Sequence, residues 1–151
     1  MRKTENTAAV PEINEVFRLT LNGNATDPIG MVQSDGYGSK IRQHDGPKVS
    51  GTQTRRFKLV RVGYQLNLDA VRTALASHGG IPEGQWREAF RAAYPTPDGK
   101  GPVGVADPSW VYPNGDRVFP CVSDDRKRWR SGFRWANFGR VAHWRWLVFA
   151  G

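Results

Sequence analysis

A single cysteine, Cys121, stands among 151 residues. No disulfide can form within the chain, so a bridge-stapled fold is excluded, and a lone thiol fits a reducing compartment. Long apolar runs are missing too. None approaches the roughly 20 residues that span a bilayer, so no membrane partner is expected. The stretch MRKTENTAAVPEINE has two early cations but no apolar segment behind them, and does not read as a secretory signal. Cytoplasmic placement is the expectation, and the sequon Asn24-Ala25-Thr26 should carry no sugar.

Catalytic and metal-binding patterns are equally scarce. The three histidines, His44, His78 and His143, show no ligand spacing, and the fourteen acids form no D-x-D or H-E-x-x-H cluster. Asp98–Gly104, DGKGPVG, lacks the G-x-x-x-x-G-K-[ST] spacing of a phosphate loop. Cys121 and His143 could meet across strands as nucleophile and base, but a cysteine flanked by Pro120 and Val122 in an apolar run reads as core. Asp124-Asp125 reads as a cap on the segment that follows, with a divalent-ion site as the alternative. On these grounds no catalytic residue, metal or cofactor is assigned, and a non-enzymatic protein is expected.

The last absence is the most informative. Residues 126–151 contain no acid but seven cations, whereas the preceding 125 residues hold fifteen cations and fourteen acids. The net charge of +8 therefore sits almost entirely in the final segment. Charge of one sign gathered in one place steers anionic partners, which evenly spread charge does not. From Arg126 to Trp146 the same segment carries four Trp and two Phe.

Periodicity gives an outline. Residues 1–12 read as a flexible polar tail, and residues 13–151 as a single α+β domain. Glu15–Leu21 alternates as a strand with Phe17, Leu19 and Leu21 on one face. Residues 22–53, with six Gly and two Pro, read as a long Gly-rich surface loop hiding at most a short strand near Gly30–Gln33. Arg55–Tyr64 is a strand whose apolar phase shifts at Leu59-Val60, predicting a bulge or burial on both faces. Asn67 caps a helix with Leu68, Val71 and Leu75 on one stripe, which Gly79 can end in the left-handed conformation. Pro82 and Glu83 open a second helix with Trp86, Ala89, Phe90 and Ala93 inward and Arg87, Glu88 and Arg91 outward. The two make a helical hairpin over about 67–94, and a helix-turn-helix with Gln85, Arg87 and Arg91 reaching bases is the minor alternative. A Gly/Pro loop, Thr96–Pro108, leads to a hairpin turning at Tyr112-Pro113-Asn114-Gly115, and Pro120 predicts an edge or bulge.

In the final segment Trp129, Ser131, Phe133 and Trp135 alternate with Arg128, Arg130, Gly132 and Arg134. Trp144, Trp146 and Val148 alternate with His143, Arg145, Leu147 and Phe149. Strand period places rings on one face and guanidinium groups on the other. The predicted architecture is an antiparallel sheet of four to six strands with the helical hairpin packed on it. The predicted function is a small basic module holding nucleic acid or a nucleoprotein complex. Arg126, Lys127, Arg128, Arg130, Arg134, Arg140 and Arg145 would contact phosphates, and Trp129, Trp135 and Trp144 are stacking candidates. The competing expectation is a protein-interaction or inhibitor protein, of the kind carried by mobile elements, whose basic surface docks on an acidic partner.

Overall fold

The computed structural model describes residues 8–125, 127–137, 139 and 143–151. In chain order the elements are β1 (Phe17–Asn22), α1 (Pro28–Ser34), β2 (Gln43–His44), β3 (Thr52–Val60), α2 (Leu68–Leu75), α3 (Trp86–Ala93), β4 (Val103–Gly104), β5 (Trp110–Val111), β6 (Arg117–Asp125), β7 (Arg128–Trp135) and β8 (Arg145–Phe149). The chain is α+β, but the sheet is larger than expected and mixed. Its eight strands run in the order β1-β3-β8-β4-β6-β5-β2, with β7 on the other side of β6. The parallel element is β4 against β8, where Val103 pairs with Arg145 and Gly104 with Trp146. β4 is two residues long and lies in the stretch expected to be loop. No apolar period marks so short a strand, and neighbours on both sides hold it.

The phase shift at Leu59-Val60 is burial on both faces, not a bulge. β3 pairs with β8 without interruption from Phe57↔Phe149 to Val60↔Trp146. Phe57 and Leu59 enter one core layer with Trp86, Phe90 and Leu147. Val60 enters the other with Leu68, Val71, Leu75, Trp146 and Val148. The same division separates the helices: α3 packs on the first face of the sheet and α2 on the second. The expected helical hairpin is therefore replaced by two helices with the sheet between them. Their connection passes the end of β8, where the Phe149 amide donates to the Gly80 carbonyl. Gly79 serves that passage. A Cβ there would sit 2.1 Å from the Phe149 carbonyl oxygen, a backbone atom with little room to yield. Its φ is not left-handed, so it is close approach, rather than a helix-ending turn, that requires glycine.

Residues 22–53 depart furthest from expectation. Asp27 accepts from the Gly30 amide at 2.9 Å and caps α1, with Pro28 at its first position. A helix thus occupies the place suggested for a short strand. Met31, Val32 and Ile41 are buried with Trp110, Val118 and Phe133 in a third apolar cluster. The segment supplies core instead of lying as a surface loop. The Asp-Pro start was legible as a helix signal, but seven residues are too few to show a period.

The hairpin before β6 turns as predicted. The Gly115 amide donates to the Tyr112 carbonyl at 2.9 Å, and Gly115 has φ +91°. Pro120 lies on neither an edge nor a bulge. β7 runs along one side of β6, and β4 and β5 follow each other along the other. The Pro120 carbonyl accepts from the Val105 amide between those two short strands. A strand residue's N–H and C=O point the same way, so the proline's missing donor faces a break in the ladder.

Candidate functional site

β7 forms because every second side chain from Trp129 is large and apolar or small, and every second from Arg128 is polar or glycine. Trp129 and Phe133 are buried, whereas Arg128, Arg130 and Arg134 are exposed. The Trp129 ring lies 6.2 Å from Phe90, and its Nε1 donates to the Tyr94 carbonyl at 2.7 Å. Lys127, just before the strand, is exposed with φ +75°, a left-handed value uncommon for a side chain. β6 pairs with β7 from Val118↔Trp135 to Asp125↔Arg128. Arg134 thus stands opposite Phe119, Arg130 opposite Ser123, and Arg128 opposite Asp125, all on the face that carries α2 further along.

A polar groove of about 360 Å³ runs over this end of the sheet, lined by Tyr37, Ser123, Asp124, Asp125, Arg130 and Arg134 among others. Arg130 and Arg134 line the groove together with Asp124 and Asp125, and the exposed Lys127 and Arg128 follow Asp125 closely in the chain. Arg130 Nη1 lies 4.0 Å from Asp125 Oδ2, with both side chains more than half exposed. Such a pair leaves the guanidinium available to an incoming anion, because exposed ion pairs contribute little.

Arg87 positions β7. It was expected to point outward but is 1% exposed. Its Nη1 donates to Asp35 Oδ2 at 2.6 Å and to the Gly132 carbonyl at 3.1 Å, and its Nε donates to Glu88 at 2.9 Å. One guanidinium therefore ties the end of α1 and the face of α3 to the middle of β7. Burial pushes the Asp35 carboxyl above its ordinary value, against the opposing pull of Arg87. Gln85 is also buried, accepting from the Val49 amide and donating to the Thr26 carbonyl, both at 2.7 Å. Arg91 is exposed but donates to the Ser131 hydroxyl of β7; with Gln85 and Arg87 inside and α2 and α3 in different core layers, the helix-turn-helix alternative falls.

The other expected site residues divide. Arg126 and Arg140 lie outside the described residues. Arg145 is 2% exposed because β8 is an inner strand, between β3 and β4. It grips Asp98 through two bonds, 2.7 and 2.9 Å, and the Gly101 carbonyl at 2.6 Å. That corrects its assignment to the wet face. Burial pushes the Asp98 carboxyl up, but the Arg145 fork and the Lys100 amide outweigh it and hold the group below its ordinary value. Trp129 and Trp144 are core rings, which corrects their assignment as stacking candidates. Trp144 is 7% exposed and stacks 5.4 Å from Trp146 at an angle of 23°. Trp135 is half-buried, 4.5 Å from Tyr112.

The chemistry for covalent catalysis does not converge among these groups. Cys121 is buried, and His143 is exposed beside Gly101. His44, Asp107 and Ser109 gather near Trp110, but the Ser109 hydroxyl donates to Asp107, not to the imidazole. Asp107 also accepts from the Gly84 amide at 2.7 Å, and His44 Nδ1 has no partner among the described residues. Burial holds the imidazole below its ordinary pKa, against Asp107. Among the described residues no group of three or more His, Cys, Asp or Glu could hold a metal, and no helix is long and apolar enough to cross a membrane.

Fold and site define an α+β protein built on a mixed eight-stranded sheet, with arginines along the outer face of its β7 strand. Comparison with known protein families, curated proteins and solved structures finds no match for the chain.

Proposed function

We propose that this protein is a small non-enzymatic module that holds nucleic acid, or a nucleoprotein complex, on the β7 face. The observation that carries the reading is the separation on one strand: Arg128, Arg130 and Arg134 exposed, Trp129 and Phe133 buried beneath them. Neighbouring positions on one strand face lie about 7 Å apart, so Arg128 and Arg130 are one such step apart and Arg134, beyond Gly132, two; guanidinium groups spaced in this way suit phosphate oxygens along a backbone. Among the described residues no base-reading element accompanies them, so affinity would come from the backbone and sequence preference would be weak. Asp124 and Asp125 also line the groove, and their charge would turn an anion toward Arg130 and Arg134.

The test is a titration of short duplex DNA and single-stranded RNA at about 50 and about 200 mM salt. Replacing Arg128, Arg130 and Arg134 by Gln should lower the duplex salt slope by up to about 2.7, at about 0.9 per contact. Absence of wild-type binding at low salt refutes the reading. The second reading, an interaction or inhibitor protein with an acidic partner, is favoured by one feature. Among the described residues β7 pairs with β6 alone, so its other edge could take an added strand.

A further inference from the structure

A second cationic strip lies at the opposite end of the same sheet face. Arg18 of β1 pairs directly with Arg56 of β3, and Thr20 with Thr54. Lys58 follows Arg56 on that face, opposite Val148. Arg18 and Arg56 are exposed, Lys58 half so. Among the described residues no carboxylate forms an ion pair with any of the three. The Thr20 and Thr54 hydroxyls hydrogen-bond each other at 2.8 Å and sit beside the cations. Like charges at directly opposed positions on a sheet repel, and the Arg56 guanidinium reaches toward Gly151, so an anion on this strip would meet two cations of like sign.

We propose that the β1–β3 strip is a second phosphate-backbone surface, independent of β7, so that one molecule holds two segments of nucleic acid. The strip from Asn22 and Thr52 to Arg18 and Arg56 is wholly polar. A protein partner would ask for an apolar patch within a polar rim, whereas phosphate and sugar are met by arginine, lysine and hydroxyl donors. The two strips cannot serve one flat ligand. Five strand steps separate β1 from β7. At about 20–25° of twist each, the surfaces diverge by roughly 100°, and α2 stands between them. The bridging half of the proposal rests on the β7 reading; the strip itself does not.

Four proteins test it: wild type, the β7 triple variant, Arg18→Gln/Arg56→Gln/Lys58→Gln, and all six changes together. Each is titrated with short duplex DNA across salt and then mixed with donor- and acceptor-labelled duplexes. Wild type should bring the two labels together. Each triple variant should still bind one duplex but lose the transfer, and the six-fold variant should lose both. An unchanged salt slope and intact transfer in the Arg18/Arg56/Lys58 variant overturn the second surface and leave the β7 reading standing. Loss of slope in that variant alone, with the β7 variant unaffected, keeps the strip and overturns β7. Polyglutamate bound by the strip as tightly as duplex overturns its assignment to phosphate. Arg18→Gln should also raise Tm without ligand at low salt and leave it unchanged at about 1 M salt, where screening is nearly complete. A low-salt Tm that falls instead overturns the repulsion argument.

Discussion

Replacing Asp98 by Asn separates a structural arginine from a binding one. Arg145 is 2% exposed and takes its counter-charge from Asp98, whose side chain is 19% exposed. Removing one partner of a buried pair costs about 3–5 kcal/mol, because the remaining charge is stranded. Partial access of water to the Asp98 side favours the lower end, about 3 kcal/mol. At this chain length that is a fall in Tm of about 6–12 °C. The acid dependence carries a sign. Against the opposing effect of burial, the Arg145 fork and the Lys100 amide hold the Asp98 carboxyl below the ordinary carboxylate range in the folded protein. Its contribution is therefore present above about pH 4 and is lost as pH falls through the depressed folded value. The gap in Tm between wild type and Asp98→Asn, followed by circular dichroism, should be full at pH 7 and close below about pH 4. Arg145→Met should lose less, about 1–3 kcal/mol, since Asp98 can rehydrate and the methionine fills the space. Its salt slope for duplex DNA should match that of wild type. A normal Tm with a slope lower by about 0.9 would refute the reasoning and return Arg145 to the binding face.

Two further outcomes test the strand and the turn. Trp129→Ala should lose about 3–5 kcal/mol of stability in denaturant titrations, since it empties a core site beside Phe90 and strands the Tyr94 carbonyl; a folded variant with only reduced binding would mean the ring faces outward. Gly115→Val should lose about 1–3 kcal/mol from backbone conformation alone, because φ is +91° and no atom lies within 4 Å of the added Cβ; an unchanged melting midpoint would show that the turn accommodates a branched side chain.

Local signals in the sequence determined the elements that need only near neighbours. The Asn67 cap and the Leu68, Val71, Leu75 stripe gave α2, and Tyr112–Gly115 gave the turn with its positive φ. Alternation on β7 also sorted Trp129 from Arg128 and Arg130, because a strand's period assigns faces without reference to its partners. What alternation leaves open is whether a face is wet. β7 lies on the outer side of β6 and exposes its arginines; β8 lies between β3 and β4, covered on both faces, and buries Arg145. That difference is strand order, which no window of sequence contains. The same holds for Arg87, whose partners Asp35 and Gly132 come from distant parts of the chain, and for α2 and α3, which a short link places on opposite faces. The Arg18–Arg56 pair joins residues 38 positions apart, and only the β1–β3 register made two scattered cations into one surface.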